Sequence, residues 1–410
     1  MLRWSDEMPS PNRDLGLLPD AVVLDGDFSP RRSRIASRRD RFRASGLSAA
    51  LCCCLFSATA FLQDVPRNPY TQPATAFYDV ERWPMPFARP GYIRASNSGI
   101  FVESPDRIFL ISRGEVRLPD QLPADFNGAV GSLPEQVTRQ LKPELRDCII
   151  VANAKGEIIE RWNQHDHLFA KGGRGPHRIK ISPYDPERHV WVVDDSGQQI
   201  FKFTNDGKQL VMALGEAGVR GTDEKHFSGP TDLAWLPDGT FFVADGYVNS
   251  RIVKFDKNGK YLTSWGTKGI EPGQFNLPHG IDIDRNRRLY VADAHNSRVQ
   301  IFDENGTFLD QWPNIWRPDV IMVSSDQHVW IAAGATDMML KYDVNGKLLE
   351  AWGTPGPAPG AFQDIHGFST DSNGTFYAAE AAGGRTQKFT PRRGVDRAKL
   401  VGVQPPLARF

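Results

Sequence analysis

The fold class predicted for this sequence is all-β, a six-bladed β-propeller of four-stranded antiparallel blades. Three observations predict it. A unit of roughly 40 residues, the period of a propeller blade, recurs five times between residues 176 and 394. Within each unit, short runs alternate apolar with other residues, the mark of half-buried strands. Finally, 37 Gly and 30 Pro in 410 residues suit a chain with many turns.

The unit is clearest from Pro278 to Pro313. Ile281 and Ile283, Leu289 and Val291, and Val299 and Ile301 alternate at period two, and Asn305-Gly306 is a two-residue hairpin signal before Phe308 to Trp312. Each run reads as one strand. Other copies keep this plan: Pro176 to Gly215 with Val190 to Asp194, Pro230 to Gly266 with Phe241 to Asp245, Pro318 to Gly353, and Asp364 to Gly394. A less regular sixth copy joins Arg107 to Ser112 with Cys148 to Asn153 and Ile158 to Trp162. A four-stranded sheet cannot cover its own faces, so six such units close into a ring around a channel lined by their innermost strands. Residues at one repeat position then share height and radius.

Three segments are predicted along the chain. Residues 1–60 read as an N-terminal extension with a signal peptide: Arg38, Arg39, Arg41 and Arg43 precede the apolar or small run Leu47 to Phe61, and Ala58-Thr59-Ala60 fits a cleavage site. This implies export to a periplasmic or extracellular location, with no membrane attachment after signal removal. Residues 61–106, with seven prolines, read as an irregular wrap, in which a strand near Gly91 to Val102 is expected to complete the last blade. Residues 107–410 form the propeller. An insertion from Leu118 to Arg146, with a short helix around Leu133 to Leu141, is placed over the channel mouth or on the surface.

Charge excludes one class of partner. Lys and Arg total 49 against 49 Asp and Glu, and removing residues 1–60, with 9 Arg and 7 acids, leaves a net charge of about −2. No basic surface for nucleic acid follows. Cys52, Cys53 and Cys54 lie in the leader, so Cys148 stands alone in the folded part as a buried, inert thiol. Arg251, Arg298 and Arg385 recur after the second strand and are expected to bridge neighbouring blades through Asp245 and Asp293; Trp265, Trp312 and Trp352 recur in outer strands as packing residues.

Function is signalled at the second position of the unit, which carries His177, Thr231, His279, Pro318 and His366. With the irregular copy as blade one, the histidines fall on blades two, four and six, and approach the axis about 120° apart. That is the donor set of a three-histidine metal site with an open position. Neutral imidazole suits zinc, copper, iron or nickel. The remaining histidines lie at unrelated phases, with His295 near the channel mouth.

The residues His226-Phe227-Ser228-Gly229-Pro230-Thr231-Asp232, Asp245-Gly246-Tyr247-Val248-Asn249-Ser250-Arg251 and Leu277-Pro278-His279-Gly280, together with the phased histidines, resemble the peptidyl-α-hydroxyglycine α-amidating lyases, NHL-repeat propellers. The likeness runs from about residue 107 to 394. It implies a zinc ion held by His177, His279 and His366, proton removal by Tyr247, and assistance by Arg113. The implied reaction cleaves the C–N bond of a carbinolamide to an amide and glyoxylate, with a peptide or small molecule bearing an α-hydroxyglycine-like group as substrate. Gly367 stands where the family carries an aspartate ligand to calcium, which puts calcium in doubt; Ala294 stands in place of a second arginine, and Val248 in place of a disulfide cysteine. Two alternatives are a non-catalytic propeller that binds protein or carbohydrate, and a metal-dependent hydrolase or lactonase on the same architecture.

Overall fold

Six four-stranded antiparallel sheets form the ring in a computed structural model that describes residues 73–84 and 86–408. The predicted leader therefore lies outside the described residues. Blade one comprises Asn97–Ser104, Arg107–Ser112, Ile149–Ala152 and Ile158–Arg161. Blades two to five follow in strict chain order, with inner strands Arg178–Ile181, Pro230–Trp235, Pro278–Ile283 and Pro318–Val323. Blade six takes Ile365–Thr370, Phe376–Glu380 and Arg385–Pro391 from the C-terminal part and Tyr78–Arg82 from the N-terminal part. Inner strands touch from blade to blade around the ring, and blade six meets blade one.

Alternation along each strand explains why the sheets stack radially. Val190 and Val192 face blade one, whereas Trp191 and Val193, one residue out of phase, face blade three. Phe241 and Val243 likewise pack toward blade two, and Phe242 and Ala244 toward blade four. Because side chains on a strand alternate between faces, every blade supplies half of two seams. Six buried clusters result, one per seam. The recurring tryptophans serve these seams: Trp352 is fully buried between blades five and six, and Trp312 packs between blades four and five.

Several expectations require correction. The strand expected to complete the last blade is instead the innermost strand of blade one, Asn97–Ser104, paired with Arg107–Ser112. Ring closure falls to Tyr78–Arg82, which pairs with Arg385–Pro391. Tyr78 is fully buried, and its phenol oxygen accepts the Val401 N–H at 2.7 Å. The Asn305-Gly306 turn is also longer than two residues: the Asp303 carboxylate accepts the N–H groups of Asn305 and Thr307, both at 2.8 Å, closing a wider loop. Gly306 has φ +87°, and a Cβ there would sit 2.7 Å from the Trp265 ring, so only glycine fits.

Arg251 and Arg298 do pair with Asp245 and Asp293, but these pairs lie within one blade and do not bridge to the next. Arg385 likewise pairs with Glu380 of its own blade, and the three distances are 2.9 to 3.0 Å. The guanidinium then donates to carbonyls of the loop that enters that blade: Asp223 and His226 for Arg251, Ile270, Glu271 and Gln274 for Arg298, Ala361 for Arg385. The entering loop has no ladder of its own, so its backbone oxygens find donors here. Cys148 is buried, and burial pushes its thiol up, away from reactivity.

Truncating Arg298 to Ala leaves the buried Asp293 carboxylate without its cation and removes the donor that ties the entering loop to the blade. The expected loss is about 3–5 kcal/mol, read as a lower chemical-denaturation midpoint.

Candidate metal centre

In each blade the residue at the start of the inner strand bulges from the ladder. The pairing register slips around Ser98, Thr231, His279, Asp319 and His366. In blade two His177 donates its N–H to the Val193 carbonyl, which Arg178 opposes in the ladder. A bulge adds one residue and re-aims its side chain, here into the channel. The blade-five equivalent of His279 is therefore Asp319, not Pro318: the preceding Pro318 pairs with Ala333 as Pro278 pairs with Asp293.

His177, His279 and His366 meet as the spacing predicts. Their ring centroids lie 4.6 to 5.0 Å apart, and one nitrogen of each falls within 4.8 Å of the others. Every ring is oriented by the blade ahead of it. Nδ1 of His177 lies 2.8 Å from the Thr231 carbonyl, that of His279 2.7 Å from Asp319, and that of His366 2.8 Å from Ser98. A carbonyl only accepts, so Nδ1 carries the proton and Nε2 keeps its lone pair in all three rings. This is the outer-sphere arrangement that fixes the tautomer of metal-binding histidines.

The hydroxyl of Tyr247 lies 3.0 Å from Nε2 of His177 and 3.0 Å from Nε2 of His279. One phenolic proton cannot satisfy two lone pairs, and a cation between the rings resolves that mismatch. Burial holds all three imidazoles neutral: His279 is pushed down to about 3, and His177 and His366 fall well below the ordinary range. Neighbouring positive charge adds to burial, from Arg178 at all three and from Arg113 at His177 and His366. A neutral, desolvated, convergent set of nitrogens fits a divalent ion of the borderline-soft kind. Among the described residues it is the one cluster of His, Cys, Asp or Glu placed to hold a metal.

Arg113 follows the second strand of blade one, on the same face of the ring. It is 9% exposed, donates its N–H to the Ser96 carbonyl at 2.8 Å, and holds Asp195 at 3.3 Å. His295 is exposed, and its charge also reaches His279. The insertion sends Gly131 to the Gly383 carbonyl of blade six at 3.1 Å, on that face too.

Arg178 was not anticipated as part of the centre. His279 and His366 are each followed by glycine because the next inner strand approaches closely: a Cβ on Gly367 would sit 2.8 Å from Gly99 Cα, and one on Gly280 3.0 Å from the Asp319 oxygen. After His177 stands arginine, and its buried guanidinium crosses to the His366 carbonyl and faces Asp232. The break in the His-Gly pattern was the visible signal.

A family model described as NHL repeat matches residues 275–302, in blade four. A probable peptidyl-α-hydroxyglycine α-amidating lyase of Caenorhabditis elegans is 35% identical over 155 residues, covering 37% of this chain and 43% of that protein. Peptidyl-α-hydroxyglycine α-amidating lyase 1 of Drosophila melanogaster is 34% identical over 175 residues, covering 39% and 30%. The peptidyl-glycine α-amidating monooxygenase of Mus musculus is 33% identical over 222 residues, covering 52% and 21%. The chain thus spans less than half the length of each of these relatives. On fold and sequence together, the chain is a six-bladed β-propeller with an NHL repeat matched in blade four, and it is similar to the peptidyl-α-hydroxyglycine α-amidating lyases.

Proposed function

We propose that this protein is a zinc-dependent lyase that cleaves the C–N bond of a peptidyl-α-hydroxyglycine-like carbinolamide, yielding an amide and glyoxylate. The observation that carries the proposal is the convergence of three histidine nitrogens, two of which, on His177 and His279, lie 3.0 Å from the Tyr247 hydroxyl. The likeness to relatives named as amidating lyases supports it. His177, His279 and His366 would hold the zinc. When bound, the ion supplies positive charge that favours the deprotonated forms of a hydroxyl and a phenol beside it.

The protein's own groups then have definite tasks. Tyr247, as phenolate, takes the proton of the substrate hydroxyl; the C–O bond becomes a carbonyl as the C–N bond breaks. The electron pair leaves with nitrogen, which recovers the proton from Tyr247. Products are the amide and glyoxylate, and Tyr247 returns to its starting state. Arg113 pairs with the substrate carboxylate, for which a guanidinium has matching geometry. Burial of the imidazoles keeps water from competing for these contacts.

Among the described residues the one metal-capable cluster of His, Cys, Asp or Glu is all histidine, which supports the lyase over a carboxylate-built hydrolase centre. A purely adhesive propeller has no use for three buried, desolvated imidazoles, each oriented by a neighbouring blade.

Two results are expected. The purified protein carries about one zinc per chain, read by elemental analysis, and His279→Ala lowers metal affinity by at least the roughly 10–100-fold seen when only an orienting partner is lost. With α-hydroxyhippurate as substrate, Tyr247→Phe retains the metal while kcat for glyoxylate release falls by roughly 10²–10⁴. Wild-type protein that is fully metallated and releases no glyoxylate would refute the lyase.

A further inference from the structure

Gly367 stands where the resembling family carries an aspartate for calcium, and the ring leaves no room for that side chain: a Cβ there would lie 2.8 Å from Gly99 Cα and 3.1 Å from Ile100 N. The channel below the histidines is charged nonetheless, and the charges belong to the chain. Arg178 and Lys180, one and three residues after His177 on the inner strand of blade two, line a cavity of about 90 Å³ at its other end together with Asp282 of blade four. Asp232 of blade three meets both cations.

The Lys180 ammonium has three donors and three oxygen partners. These are the Leu233 carbonyl of blade three at 2.9 Å, the Ile281 carbonyl of blade four at 3.1 Å and the fully buried Asp232 carboxylate at 2.9 Å. Backbone carbonyls and a carboxylate around one positive centre are the ligand types that a hard divalent cation collects. Arg178 extends this arrangement across the channel: its guanidinium, buried at 3% exposure, donates to the His366 carbonyl of blade six and faces Asp232 at 3.5 Å. Two side chains of one strand thus hold three other blades.

Charge balances within the group. Two cations face the two carboxylates of Asp232 and Asp282; the latter accepts the N–H groups of Val323 at 2.7 Å and Ile283 at 2.9 Å and lies within the field of Lys180. No negative charge is left over for a dication to neutralise. An added ion would be desolvated against Arg178 and Lys180 at short range, which opposes its entry.

We propose that Arg178 and Lys180 are the resident cations of this ring, doing the work of a bound divalent ion in tying the inner strands together beneath the histidines, so that the channel there takes no calcium. Metal binding is then confined to the three imidazoles. That role is independent of the reaction performed at the histidine centre.

Two measurements on the full chain as purified test it. Protein desalted into calcium-depleted buffer is expected to hold no calcium by elemental analysis, and its thermal midpoint to move by less than about 1 °C on adding about 5 mM calcium chloride, whereas an ion that binds the native state raises the midpoint. Lys180→Met, which keeps the aliphatic stem and removes the ammonium, is expected to lower the midpoint in the same buffer by at least about 5 °C. Lys180→Gln, which keeps a donor without the charge, should fall between the two and serves where the methionine variant does not fold. One tightly held calcium per chain, or a midpoint raised several degrees by calcium, overturns the proposal, as does a Lys180→Met variant as stable as wild type. Glyoxylate release enters neither readout, so the lyase and the resident cations stand or fall separately.

Discussion

One set of hydrogen bonds carries the centre: each histidine on an even blade gives its Nδ1 proton to the backbone carbonyl of the bulged residue on the next odd blade. The bond aims Nε2 at the axis and also ties two inner strands together. The odd blades answer with side chains. Ser98 Oγ donates to the Pro176 carbonyl at 2.5 Å and Thr231 Oγ1 to the Pro278 carbonyl at 2.9 Å, each just ahead of a histidine. Between blades five and six Asp319 has no proton to give, and Arg317 joins Asp319 to Asp364 instead. Six seams are thus closed at one height, and the geometry of the centre follows from the closure of the ring.

Closure explains why the imidazoles are buried and neutral. The inner strands pack so tightly that glycine follows two of the three histidines, and the opposite end of the channel is crossed by the C-terminal segment, where Gln404 N–H meets Thr370 Oγ1 at 3.0 Å and Ala408 N–H meets the Pro183 carbonyl at 2.9 Å. Protonating an imidazole there would strand a charge away from water, which burial opposes. Arg178, one residue from His177, adds a fixed positive charge to the same end. A dication bound there would be held by neutral donors, which would leave negative charge to a substrate and to Tyr247.

Much of this was legible in the residues, and the exceptions have physical causes. Period and alternation marked blades two to six because each opens, turns and alternates alike, and the histidine phase carried directly into space. The strand around Asn97–Ser104 was legible but not its blade, because it lacks the Pro-His-Gly opening and its blade is split by the insertion. Tyr78–Arg82 escaped because a closing strand lies far from its partner in sequence and sits among prolines. Repeat spacing points to Pro318 and not to Asp319 because a bulge shifts the pairing by one residue without altering local composition. The contacts of Arg178 and Lys180 depend on how close neighbouring strands run, which no single blade's sequence records. Tyr247 was found through its motif; that its hydroxyl touches two histidines is a property of the ring.

The account stands on three rings gripping one ion. Diffraction from crystals of the purified protein, collected on either side of the zinc absorption edge, tests this most directly. The predicted result is a single anomalous peak roughly 2.0–2.1 Å from Nε2 of His177, His279 and His366. Imidazoles turned apart, or a peak bound elsewhere with these three nitrogens uninvolved, would contradict it.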